Sequence, residues 1–115
     1  MKSETVVVLA GSLFFAVAGL SLVHAAVDNG QAEQLIESNK CNKCHAPAKT
    51  KSGPSWKKVA AKYKDDAAKG EEAIIKNITT GPKVKLDDGT EEEHKIIKEK
   101  DPAALKNLAQ WILAH

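Results

Sequence analysis

The sequence contains no arginine, because all 17 of its cationic residues are lysines. Proteins read nucleic acids largely through arginine, and the formal net charge of this chain is only +2, which makes nucleic acid a poor candidate partner. Aromatic residues are also scarce, since residues 26–115 contain only Trp56, Tyr63 and Trp111. A domain of about 90 residues with so few large core side chains often needs a cofactor, a metal or a disulfide to fold stably.

The N-terminal segment is a long apolar run. The 18 residues from Val6 to Val23 carry no charge, and the run ends at Val23-His24-Ala25-Ala26. Small or apolar residues at positions −3 and −1 predict cleavage after Ala25, as in a secretory signal peptide. An uncleaved anchor is the alternative, because the run approaches the length of a membrane span. We expect residues 1–25 to be removed and residues 26–115 to form one periplasmic domain without a membrane span.

Residue spacing predicts helices and no strands. Apolar residues recur at helical spacing in four segments, and we expect no strands. The last of these starts with Asp101 as N-cap and Pro102 as first residue. Residues 83–89 are predicted to form a polar loop. The fold class is therefore all-α, with predicted helices at residues 28–40, 55–64, 71–79 and from 102 onward.

One short motif, Cys41-Asn42-Lys43-Cys44-His45, contains both cysteines of the chain. The pattern Cys-x-x-Cys-His is the attachment signature of c-type haem, in which two thiols add to the vinyl groups and the adjacent imidazole binds the iron. A thioredoxin-like pair would need a strand–helix unit, which the sequence does not predict. A zinc site formed with His94 would need two adjacent residues as ligands. The motif predicts one covalent haem c, bound through Cys41, Cys44 and His45.

With this motif, the sequence resembles the class I mono-haem cytochromes c of the small bacterial type over nearly all of residues 28–114. The resemblance rests on the haem motif, on residues 53–63 and on residues 108–113. It implies the small cytochrome c fold, in which three to five helices surround one haem. It also implies that the Pro54 carbonyl accepts a hydrogen bond from Nδ1 of His45, and that Trp111 packs near the haem edge where the first and last helices cross.

The sequence departs from this family at the sixth iron ligand. Relatives usually place a methionine in the loop before the last helix, whereas the only methionine here is Met1. His94 occupies the corresponding region, while His24 is removed with the signal and His115 ends the chain. We therefore expect His94 to complete a bis-histidine pair on the iron.

Two alternatives to this role of His94 stay open. Residues 90–93 match a capping box, which would place His94 in the first turn of an exposed helix. On such a helix His94 and Ile97 would share a face, and the need to bury Ile96 and Ile97 would turn that face inward. The other alternative is that the side-chain amine of Lys83, Lys85 or Lys95 binds the iron. Such a ligand requires a large shift of the lysine pKa.

Two protein ligands leave no position on the iron for a substrate, so we expect electron transfer and no enzymatic activity. A methionine ligand raises the potential of a c-type haem, and two histidines therefore predict a lower one. We expect a periplasmic one-electron shuttle, and the ligand set suggests a metal-oxidising or metal-reducing respiratory chain. The alternatives are a haem-based sensor, in which His94 leaves the iron to admit a small ligand, and a thiol oxidoreductase without haem.

The lysines are unevenly distributed along the chain. Residues 40–64, the lysine stretch, contain eight lysines and no acidic residue, whereas residues 65–115 carry a net charge of −3. We expect the lysine stretch to dock redox proteins through acidic surfaces. A solvated lysine-rich surface without a partner is the alternative. We expect the protein to be a monomer.

Overall fold

The computed structural model describes Gly11 and residues 26–115, so the predicted signal peptide lies outside the described residues except for Gly11. The described chain forms four helices, a 3₁₀ turn and a β-hairpin, which confirms a predominantly helical class. None of the helices in this part of the chain has both the length and the apolarity to cross a membrane. The elements are α1 (Asn29–Ser38), the 3₁₀ turn (Cys41–Lys43), α2 (Trp56–Lys62), α3 (Ala67–Thr80), β1 (Lys83–Lys85), β2 (Glu91–Glu93) and α4 (Pro102–Leu113).

Side-chain caps determine where the four helices begin. Each helix follows a residue whose side-chain oxygen accepts a hydrogen bond from a first-turn amide, namely Asp28, Ser55, Asp66 and Asp101. Short polar side chains of this kind are the preferred N-caps. Three helices lie inside their predicted limits, whereas α3 begins at Ala67 and not at Glu71, because Asp66 caps it earlier.

The structure of residues 83–93 differs from the prediction of a polar loop at residues 83–89 followed by a helix start at residues 90–93. The segment is an antiparallel hairpin in which Val84 lies opposite Glu92. In its turn, the Asp88 carboxylate accepts hydrogen bonds from the amide and the hydroxyl of Thr90, at 2.9 and 2.6 Å. Gly89 adopts a φ of 87°, and an Asp-Gly pair favours such a turn. Residues 83–87 alternate between polar and apolar side chains, as a strand does, and this short signal for β1 was missed, whereas β2 consists of three glutamates without alternation.

Helix α4 lies at the centre of the core and packs against α1, α2 and α3. Its inward face was predicted from helical spacing and is buried as predicted. Burying one leucine or isoleucine contributes about 1.5–3 kcal/mol. The core consists of Leu105, Leu108, Ala109 and Ile112 of α4, with Ala32, Ile36, Trp56, Ile74, Ile78 and Ile97.

Residues 94–101 connect the hairpin to α4 without regular secondary structure. The predicted helix that would start near His94 is absent from this described segment. Ile97 turns into the core with 2% of its surface exposed, whereas Ile96 is 49% exposed. The amide of Ile97 donates to the carbonyl of Ile78 at 2.9 Å, so backbone hydrogen bonds hold this segment against α3.

Candidate cofactor site

A cavity of about 480 Å³ lies between the haem motif, helix α3 and the hairpin. Its volume is within the range of about 300–1,000 Å³ that is typical of ligand pockets, and such pockets are mostly apolar. Val59, Ile74, Val84, Leu86 and Ile112 form its apolar walls. The predicted haem-binding residues meet in this cavity, since its lining includes Cys41, Cys44, His45, Pro54 and His94.

The 3₁₀ turn brings both cysteines and His45 to one side of the cavity. Lys40 enters the turn with a φ of 58°, and the His45 amide then donates to the Cys41 carbonyl at 3.0 Å. Burial raises the pKa of the Cys41 thiol, although Lys95 opposes this effect. Redox-active thiols have lowered pKa values, so this environment disfavours Cys41 as the attacking thiol of a redox pair.

His45 is held as a neutral ring with one free nitrogen. Its Nδ1–H donates to the Pro54 carbonyl at 2.6 Å, and because a carbonyl can only accept, Nε2 carries the free lone pair. Burial lowers the pKa of His45, assisted by His94 and Lys51 and opposed by the Pro54 carbonyl. The neutral imidazole is the form that binds metals.

Two neighbours fix the position of the His45 ring. Trp56 stacks on it, with ring centroids 4.5 Å apart and planes inclined by 24°. On another side, a Cβ added to Gly53 would lie 2.8 Å from Cε1 of His45, so only glycine fits there. The ring therefore has little freedom to rotate.

His94 approaches His45 across the cavity. The two ring centroids are 6.2 Å apart and their planes are inclined by 40°. The Nδ1–H of His94 donates to the Lys95 carbonyl at 2.9 Å, so in the tautomer that can bind a metal the lone pair is on Nε2. Two imidazoles on opposite sides of one metal, each at about 2.0–2.1 Å, have nitrogens about 4 Å apart and centroids about 2 Å further apart. The observed separation fits such a pair.

The end of α3 helps to place His94. Gly81 ends the helix with a φ of 61°, and a Cβ there would lie 2.7 Å from the His94 carbonyl oxygen. The His94 amide donates to the Pro82 carbonyl at 2.8 Å. The Gly81-Pro82 pair thus ends α3 and also holds the segment that carries His94.

Trp111 and His115 lie outside the lining of the cavity. Trp111 is half-buried and meets Trp56 edge to face, with ring centroids 6.1 Å apart. His115 packs on Trp111 at 4.4 Å and donates from Nδ1 to its carbonyl at 2.9 Å. Of the imidazoles in residues 26–115, only His45 and His94 line the cavity.

The hairpin contributes site residues that the sequence analysis did not identify. Val84, Leu86 and Glu92 line the cavity, as do Lys85 and Lys95, whereas Lys83 does not. The Asp87-Asp88-Gly89 turn was the available signal for this hairpin. The Asp87 amide donates to the Ser52 carbonyl at 2.9 Å, which joins the turn to the loop beside His45.

Two pairs of lysines from the lysine stretch line different surfaces. Lys40 and Lys43 line the cavity, next to the haem motif. Lys57 and Lys64 instead line a second groove, together with Tyr63 and His115. Only the first pair is placed to act on a partner that approaches the cavity.

Comparison with known proteins agrees with this site. A sequence model of the cytochrome c family matches residues 28–115. No curated protein sequence matches the chain significantly. Among solved structures, the class 1 cytochrome MtoD from Sideroxydans lithotrophicus ES-1 is 49% identical with a TM-score of 0.72, over 77% of this chain and 97% of that one.

Cytochrome c552 of Nitrosomonas europaea is a more distant relative. The wild-type protein is 26% identical and its N64Del mutant 27% identical, each with a TM-score of 0.55 over 71% of this chain and 96% of the other. Three observations point to the same family: the haem motif, the apolar cavity that it lines, and the match over residues 28–115. The chain therefore belongs to the cytochrome c family, whose members are electron carriers with a covalently bound c-type haem.

Proposed function

We propose that this protein is a periplasmic one-electron carrier whose haem iron is bound by His45 and His94. The observation that carries the proposal is the 6.2 Å separation of the two imidazoles in one apolar cavity. Cys41 and Cys44 hold the haem through thioether bonds, and residues 1–25 are removed on export. When bound, the haem supplies reversible exchange between Fe(III) and Fe(II).

The protein side of this mechanism is the rigid presentation of two imidazoles, each hydrogen-bonded through Nδ1 to a backbone carbonyl. The carbonyls of Pro54 and Lys95 accept from the two Nδ1–H groups, which fixes the tautomer and orientation of each ring and raises its basicity. The apolar walls limit the access of water to the space between the rings. Ligands that keep the same positions in both oxidation states favour fast electron transfer and leave no site for a substrate.

Bis-histidine ligation also affects the choice of partners. Because methionine raises the potential of a c-type haem, the pair of His45 and His94 sets a lower potential than in methionine-ligated relatives. A carrier of lower potential suits partners at the low-potential end of a respiratory chain. We place this protein in a metal-oxidising or metal-reducing chain on that ground.

Spectroscopy of the exported protein tests this function. We expect the mass of residues 26–115 plus one haem, a reversible one-electron redox titration and low-spin spectra in both oxidation states. The reduced form should bind carbon monoxide only slowly, because His94 must first leave the iron. Rapid carbon monoxide binding would favour the haem-based sensor, and an exported protein without haem absorption would contradict both haem functions.

The docking surface in this proposal is the part of the lysine stretch at the cavity, Lys40 and Lys43. Reversing both charges should slow electron exchange with an acidic redox protein about tenfold or more at low ionic strength, and should weaken its salt dependence. The matched control reverses Lys57 and Lys64, which changes the net charge equally but at the second groove. Stopped-flow rates at several ionic strengths make the comparison, because screening acts over about 10 Å at 0.1 M salt. Equal effects of the two pairs would contradict docking at the cavity.

A further inference from the structure

We propose that Asn39 is a positioning residue for His94, which it holds through the backbone of Lys98. The inference rests on the proposed function, since it takes His94 to be an iron ligand. Asn39 directly follows α1 and is buried, with 4% of its surface exposed. Asparagine is mostly exposed in proteins, so a buried amide calls for specific hydrogen-bond partners.

Both ends of the Asn39 amide have partners in different parts of the fold. Nδ2 donates to the Leu35 carbonyl at 2.9 Å, and also lies 3.4 Å from Oγ of Ser38. Oδ1 accepts from the amide of Lys98 at 3.1 Å, across 59 positions of sequence. An amide side chain can donate and accept at the same time, so asparagine suits this place between a carbonyl and an N–H group.

The segment that Asn39 reaches has few other attachments. His94 donates from its amide to the Pro82 carbonyl at 2.8 Å, and Ile97 to the Ile78 carbonyl at 2.9 Å. Both of these bonds tie the segment to α3 and the residues after it. The bond from Lys98 to Asn39 ties it to the opposite side of the site, two residues before Cys41. Asn39 therefore fixes the segment that carries His94 relative to the segment that carries His45.

The test compares Asn39→Leu with Asn107→Leu in the intact haem protein. Asn107 makes the same kind of bridge, because its Nδ2 donates to the Asp28 carbonyl and its Oδ1 accepts from the Asp28 amide, both at 2.8 Å. Asn107 does not line the cavity. Both variants lose an amide that pairs with a backbone carbonyl and a backbone N–H, so a general loss of stability would appear in both.

The readout is the rate at which the reduced protein binds carbon monoxide, which is limited by the departure of His94. Asn39→Leu should raise this rate about five- to tenfold, whereas Asn107→Leu should leave it within about twofold of wild type. If the leucine variants do not fold, Asn39→Ala and Asn107→Ala give the same comparison.

Amide hydrogen exchange supplies a second readout that does not depend on the iron. Asn39→Leu should remove the protection of the Lys98 amide while the Ile97 amide keeps most of its own. Loss of Lys98 protection with equal carbon monoxide rates in Asn39→Leu and Asn107→Leu would overturn the inference. The proposed function fails separately if His94→Ala does not accelerate carbon monoxide binding, because that variant removes the ligand itself.

Discussion

His94→Ala should leave the haem attached and open one side of its iron. The oxidised protein should become partly high-spin, and the reduced protein should bind carbon monoxide rapidly. If the state with His94 off the iron has a population of about 1% in wild type, removal of the His94 imidazole raises the apparent affinity for carbon monoxide about a hundredfold. Optical spectra, resonance Raman spectra and carbon monoxide titration measure these changes.

Two further variants make this prediction specific. His94→Met should keep the iron six-coordinate and low-spin while raising the potential, because a thioether ligand favours Fe(II) more than imidazole does. His115→Ala should change neither property, since this residue packs on Trp111 outside the cavity. An unchanged spectrum and potential in His94→Ala would show that another group binds the iron. Lys85 and Lys95 would then be the next candidates, because both line the cavity.

Cys41→Ala combined with Cys44→Ala should leave a largely unfolded chain. Val59, Ile74 and Ile112 form apolar walls that the haem would cover, and residues 26–115 offer only three aromatic side chains for the core. A group bound only by the native state adds its binding free energy to stability. A loss comparable to the whole stability of a small domain, about 5–15 kcal/mol, is expected.

Far-UV circular dichroism and thermal melting measure this loss of folding stability. Cys44→Ala alone keeps one attachment point and should give an intermediate stability, which separates the contribution of covalent attachment from that of haem contacts. The helical signal should be lost in one transition, because α4 packs against α1, α2 and α3 and the four helices should unfold together. A haem-free protein with a cooperative melt near that of wild type would contradict the prediction.

Local chemistry made much of this structure predictable from the sequence. The helix starts follow from short polar caps such as Asp101, whose effect lies within one turn. The haem motif occupies five consecutive residues, so its chemistry needs no knowledge of the fold. The lack of a methionine beyond Met1 excluded a thioether ligand in the mature chain in the same direct way.

The features that the sequence did not reveal depend on contacts between distant segments. The alternation at residues 83–87 is short and β2 consists only of glutamates, so periodicity did not lead to the hairpin, and the hydrogen bond from Asp87 to Ser52 places it on the cavity. Trp111 meets Trp56 edge to face, and Trp56 lines the cavity, so the place of Trp111 near the haem edge stays a prediction. Lys40 and Lys43 line the cavity whereas Lys57 and Lys64 line the second groove, a difference that their positions in the sequence do not show.

The sequence by itself determined the four helices, the apolar face of each and the covalent attachment of one haem, because these depend on neighbouring residues. The tertiary structure alone decided that His94 lies 6.2 Å from His45, and that Asn39 is bonded to the segment that carries His94. Such distances result from the packing of α3 and α4 and from backbone hydrogen bonds that span much of the chain. Residue spacing carries no information about contacts of that kind.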